Sequence, residues 1–184
     1  MILDLLGVSY RVVVSAHDED LRDDDPVTTV EANARGKALE VLERVRLAAG
    51  ELVLGVDTVV VLRGRVLGKA SDDEEARSYL TALGGRRHEV YSGLHLCDGE
   101  GSFTGHAVTG VTFRPLAPAD VDRYVASGEW RERAGAYAIQ GVGSALVAAV
   151  DGDYFNVVGL PVPLLVEALA RRDTPPFAWL HPPA

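Results

Sequence analysis

One aspartate, Asp57, stands inside "LVLGVDTVVVL", and residues 52–62 of that apolar, β-branched run carry no other charge. Burying a carboxylate in such a strand is costly unless it is hydrogen-bonded, paired or bound to a metal. It is either a strand-end group bonded to a nearby loop or a functional group, since α/β sheets gather reactive side chains near strand ends. Lys69 follows after "RGRVLGK", a tight turn through Arg63 and Gly64. Lys37 lies in "EANARGKA", where Ala34 and Ala38 permit close packing, and Glu19 lies in the acidic stretch "AHDEDLRDDDP". Taken singly, these three are a surface lysine, an exposed helix lysine and a solvated loop acid. Gln140 sits in "GEWRERAGAYAIQGVGS", a glycine-rich segment that suits neither helix nor strand. An ordered loop of this kind is usually functional. Its amide offers a donor and an acceptor and can therefore read a base edge, or else cap the loop backbone.

Other chemistries find little support. There is no Walker A sequence, and Gly141-Val142-Gly143 alone is a weak signal. No Cys/His spacing suits zinc. His88 and His95 fall on opposite sides of one expected strand, with His88 structural, and Ser92 and Ser144 lack a His/Asp partner set.

The elements that must position these residues come from periodicity and punctuation. "MILDLLG" is expected as a helix end closed by Gly7, "YRVVVS" as a strand, and residues 30–46 as a helix that Pro26 could begin. "ELVLGVDTVVVL" is a strand and "DDEEARSYLTALGG" a helix with acids at its start. "RHEVYSGLHLCD" and "GHAVTGVTFRPL" alternate as an antiparallel pair joined near "GEGS". "APADVDRYVASGE" is a helix, "GSALVAAVDGDY" holds a strand, and "LPVPLLVEALARR" is a helix. Helices and strands alternate before a hairpin intervenes, which predicts an α/β fold with a mixed sheet flanked by helices. Residues 1–172 form one domain, and the Pro-rich 173–184 a loose tail.

The 184 residues are 47% hydrophobic, enough for a proper core, and carry a net charge of −9. An acidic surface argues against a nucleic-acid or anionic-membrane binder but leaves room for a basic phosphate pocket. With one cysteine, Cys97, no internal disulfide is possible, which suits a reducing compartment. No apolar run is long enough for a membrane span and the start does not resemble a signal peptide. A cytoplasmic protein is expected.

The segments "LLGVSYRVVVSAHDE", "ANARGKA", "LGVDTVVVLRGRVLGK", "EEARSYLTALGGRRHEVYSGL", "TGVTFRPL", "YVASGEWRERAGAYAIQG" and "VDGDYFNVVGLPVPLL" follow one another over residues 4–170. In that order they resemble the Maf family of nucleoside triphosphate pyrophosphatases. The resemblance implies a two-lobed α/β fold like that of inosine triphosphate pyrophosphatases, with a cleft between the lobes, commonly as a homodimer. It implies metal-dependent hydrolysis of a nucleoside triphosphate to monophosphate and pyrophosphate, with Mg2+ or Mn2+. Asp57 matches the family's catalytic aspartate, and Glu19 an acid near the metal. Lys37 and Lys69 match family lysines, while Thr58 and Gln140 match positions that influence base choice. Attack at the α-phosphorus needs a placed water, a cation and positive charge on the phosphate oxygens, which this set can provide. The commoner family preference, for dTTP and UTP, is expected over a methylated guanosine triphosphate. "YAIQG" and "FNVVGLP" argue against an inosine triphosphate pyrophosphatase. The family's usual "GKP" reads Gly68-Lys69-Ala70 here, and a family Thr-Gly reads Ser92-Gly93. The family's opening strand and arginine-bearing turn have no counterpart in "MILDLLG". This implies a weak triphosphate grip, a start site lying further upstream, or a septum-linked nucleotide-binding regulator with little turnover.

Overall fold

The computed structural model describes residues 2–20 and 25–172; the expected tail, 173–184, lies outside the described residues. A short helix α1 (Ile2–Leu5) is closed by Gly7 at φ 64°, residues 8–20 carry no regular structure, and the next described helix is α2 (Pro26–Arg44). The start of α2 is set locally: Asp25 accepts a hydrogen bond from Thr28 N and Pro26 supplies the fixed φ of the first turn. Strand β1 (Val53–Leu62) reverses through Arg63 and Gly64, whose φ values of 54° and 81° are those of a two-residue hairpin turn, into β2 (Arg65–Leu67). Helix α3 (Asp73–Leu83) is capped by Asp72, with Asp73, Glu74 and Glu75 in its positive first turn. The hairpin β3 (Arg87–Cys97) and β4 (Ser102–Phe113) is followed by α4 (Pro118–Ser127), β5 (Val147–Asp151), α5 (Tyr154–Val158) and α6 (Val162–Ala170).

The five strands lie in the order β2-β1-β3-β4-β5, and every described pairing is antiparallel. The α/β class is as expected. The mixed character is not, because residues 10–15, expected as a strand, join no ladder. Their alternation is real: Val13 packs near Val41 while Val12 and Val14 are 69% and 82% exposed. Alternation sorts side chains, but a strand also needs a neighbouring backbone to take its N–H and C=O groups. Residues 53–59 of β1 have no ladder on that side either, since β2 pairs only with Val60, Val61 and Leu62. An apolar groove of about 710 Å³ is lined by residues 8–13 and by residues 52–56.

The sheet has two covered faces. Val53, Gly55, Asp57, Val59 and Val61 face α2, and α2 presses close. A Cβ on Gly55 would stand 2.2 Å from the Ala34 carbonyl oxygen, and one on Gly93 2.2 Å from that of Val30. On the other face Val60, Val90, Val111 and Phe113 pack with Leu80, Leu83, Val121, Tyr124 and Tyr137. No helix of the described residues is long and apolar enough to cross a membrane.

Candidate active site

Asp57 is 6% exposed. It can be buried because α2 presents Asn33 and Lys37, one helical turn apart, to its two oxygens. Lys37 Nζ donates to Oδ1 at 2.6 Å, and Asn33 Nδ2 donates to Oδ2 at 3.1 Å. The same Nζ lies 2.7 Å from Glu19 Oε1, and Lys69 Nζ donates to Glu19 Oε2 at 3.2 Å. Asn33 also bonds Asp20 N and Asp20 O, both at 3.0 Å, and so ties the acidic segment to α2. Asp57, Lys37, Glu19 and Lys69 thus form one chain of alternating charge. Burial opposes the charge on Lys37, but its bonds to Asp57 and Glu19 outweigh burial and raise its pKa. Burial likewise opposes the charge on Glu19, and the bonds from Lys37 and Lys69 outweigh it and lower the pKa.

Thr58 is the next residue along β1, so its side chain leaves the other face of the sheet. Here the partners are neutral. Thr58 Oγ1 is 2.8 Å from Ser92 Oγ, its register neighbour on β3, and Ser92 Oγ donates to Asn156 O on α5 at 3.1 Å. Opposite stand Tyr137, Ile139 and Gln140 of the glycine-rich loop. Gln140 precedes a 3-10 turn, Gly141–Leu146, and its side chain makes no cap bond there. Glu129 instead holds the loop, accepting from Val142 N at 3.0 Å and Gly143 N at 2.7 Å. Tyr124 OH accepts from Ala138 N at 3.0 Å. The loop also zips to the end of the β1–β2 hairpin, where Gly135 N donates to Leu67 O and Gly68 O and Ala134 bridges Lys69. Gly135 is required twice over: its φ is 66°, and a Cβ would meet Val60 Cγ2 at 2.8 Å. One cleft of about 320 Å³ is lined by both sets, from Glu19, Lys37, Asp57 and Lys69 to Thr58, Gln140 and Gly159.

A family model described as Maf-like protein matches residues 1–172. The chain belongs to that family. It is 46% identical over 189 aligned residues to the dTTP/UTP pyrophosphatase of Anaeromyxobacter sp. (strain Fw109-5), covering 98% of this chain and 87% of the relative. It is 43% identical to that of Gloeobacter violaceus, over 94% of this chain and 90% of the relative. The corresponding Pyrococcus furiosus protein is 36% identical over 90% and 87%.

In this Maf-like protein the expected residues Asp57, Glu19, Lys37, Lys69, Thr58 and Gln140 all line the one cleft. His88 and His95 do point to opposite faces. His88 Nε2 pairs with Tyr137 OH at 2.9 Å, and burial, with Arg87 adding, lowers its pKa to about 4; His95 Nδ1 pairs with Thr104 Oγ1. Ser144 turns back to Gly141 O. Sequence reasoning passed over Asn33, Glu129, Glu132 and Arg133. Glu132 and Arg133 line the cleft, and "RER" inside the singled-out loop was their only signal. Glu129 lines the cleft too, in the same loop segment, while Asn33 is known only through its partners. Among the described residues no three or more His, Cys, Asp or Glu side chains form a ready-made metal cage. Asp57 and Glu19 nevertheless each place an oxygen within 2.7 Å of one ammonium, so they can converge on a single cation.

Proposed function

We propose that this Maf-like protein hydrolyses pyrimidine nucleoside triphosphates, dTTP and UTP, to the monophosphate and pyrophosphate. The observation that carries the reading is the pairing of walls in one cleft: a buried Asp57 held by Lys37, and across the β1 edge a neutral wall of Thr58 and Gln140. The names of the relatives in Anaeromyxobacter, Gloeobacter and Pyrococcus support it.

Asp57 takes the proton of the attacking water, its orientation held by Asn33. Lys37 and Lys69 neutralise the phosphate oxygens, and Glu19 keeps both ammonium groups aimed at the cleft. Asp57 and Glu19 would hold Mg2+ or Mn2+, ions that are commonly bound through one or two carboxylates plus substrate phosphates. The ion would polarise the phosphoryl oxygen as a Lewis acid. Thr58 and Gln140 contact the base.

The test is a panel of nucleoside triphosphates with Mg2+ or Mn2+, scored for pyrophosphate release. dTTP and UTP should lead and EDTA should abolish the signal. Release of orthophosphate, or a purine triphosphate in front, would overturn the reading. The homodimer and cytoplasmic location implied by the resemblance are checked by light scattering and by fractionation.

A further inference from the structure

The hydrogen bonds behind Thr58 fix which way its hydroxyl points. Ser92 is fully buried and has one hydroxyl hydrogen. Its Oγ lies 3.1 Å from the Asn156 carbonyl oxygen, which can only accept, so the Ser92 hydrogen goes there. The 2.8 Å contact between Thr58 Oγ1 and Ser92 Oγ then needs a hydrogen from Thr58. The Asn156 end is rigid, because its buried side-chain amide donates to Val90 O at 3.1 Å and to Thr109 Oγ1 at 3.0 Å. Thr58 is half-buried at the cleft wall, and with its hydrogen committed inward it offers the cleft only lone pairs.

We infer that Ser92 and the Asn156 carbonyl hold Thr58 as a hydrogen-bond acceptor, which selects a ring N–H over a ring lone pair and so favours uracil and thymine over cytosine. Ser92 is the positioning residue. This rests on the pyrimidine reading of the cleft and goes one step deeper. Uracil and thymine carry an N3–H donor between two carbonyls; cytosine carries a bare N3 acceptor at the same place. Against an acceptor-only Thr58, cytosine sets two lone pairs face to face, and a site built to pair one hydrogen rejects the analogue lacking it. The amide of Gln140, with a donor to spare, suits the neighbouring carbonyl.

The test compares kcat and KM for UTP, CTP and 3-methyluridine triphosphate in the wild type, Ser92→Ala and Thr58→Val, with melting curves for each. The wild type should prefer UTP and reject the N3-methyl analogue. In Ser92→Ala the Thr58 hydroxyl is free to turn and donate. The UTP-to-CTP ratio of kcat/KM should fall on the order of tenfold, with the change in KM rather than kcat. Thr58→Val should lower the ratio as well, and it decides the matter should Ser92→Ala fail to fold. A folded Ser92→Ala with an unchanged ratio, or an accepted N3-methyl analogue, would overturn the inference while leaving the pyrophosphatase reading in place. A wild type that turns over neither UTP nor dTTP would remove that reading and this inference with it.

Discussion

Asp57 and Thr58 are adjacent in sequence and stand in opposite chemical worlds. On the α2 side, Asp57 is enclosed by charge, with Lys37, Glu19 and Lys69 in series and Asn33 as a neutral hydrogen-bond partner. On the α5 side, Thr58 is backed by a hydroxyl and a carbonyl, with no formal charge among its hydrogen-bond partners. A strand turns successive side chains to opposite faces, so one residue's step along β1 separates the charged set from the neutral one. The two can serve one ligand because β2 covers only residues 60–62 of β1, leaving the strand edge beside Asp57 and Thr58 open to the cleft. Changes on the charged side should therefore act on rate, and changes on the neutral side on choice of substrate.

The largest expected effect is on the charged side. Asp57→Asn keeps the shape and removes the base, so turnover at saturating UTP should drop by a factor on the order of 10²–10⁴. The substrate ranking should stay as it was. A near wild-type rate would take Asp57 out of the mechanism.

Acid should strike the neutral side. His88, 2% exposed beneath Tyr137, has a folded pKa of about 4 against an ordinary 6.5. The unfolded chain therefore binds the extra proton between those values. The contribution of neutral His88 is complete above about pH 6.5 and is lost progressively down to about pH 4, a change on the order of 3 kcal/mol. Urea unfolding at pH 7.5 and pH 5 should show about 2 kcal/mol of that loss in the wild type and much less in His88→Asn. Equal pH dependence in the two proteins would show that His88 is not the group responsible.

The two lysines should part company, although sequence alone treats them alike. Lys37 is 21% exposed between two carboxylates, and Lys37→Ala leaves Asp57 buried with a single neutral partner. It should lose about 1–3 kcal/mol of stability as well as activity. Lys69 is 47% exposed, and Lys69→Ala should raise KM for triphosphate with stability within about 0.5 kcal/mol. Matching melting curves for both variants would contradict this division of the charged side.

The smallest expected effect belongs to the loop. Gln140→Ala should reorder UTP, dTTP and CTP by a few-fold while the best rate changes little. Glu129→Gln, which spoils one of the two acceptors holding Val142 N and Gly143 N, should move the ranking the same way by a smaller amount. Loss of rate with an unmoved ranking would place both residues with the charged side instead.

Much of this was legible from local signals. Pro26, the acids that open α3, the Arg63–Gly64 turn and the period-two alternation of β3 and β4 act within a few residues, so they mark α2, α3 and both hairpins without knowledge of the rest. Asp57 announced itself as a charge in an apolar strand, and Gln140 as an amide in a glycine-rich loop. Residues 10–15 show the limit: their alternation was correct, but only a neighbouring backbone makes a strand. The short α5 went unread because its five residues owe their helix to the Asp153 cap and to Asn156 buried against β3 and β4. The roles of Asn33, Ser92 and Glu129 depend on partners 24, 34 and 13 residues away in the chain, Asp57, Thr58 and Val142 respectively. Composition and local pattern determined which elements form and which residues carry reactive groups. Register and packing alone decided which polar atom meets which, because hydrogen bonds are short and directional and the chain brings such atoms together only when folded.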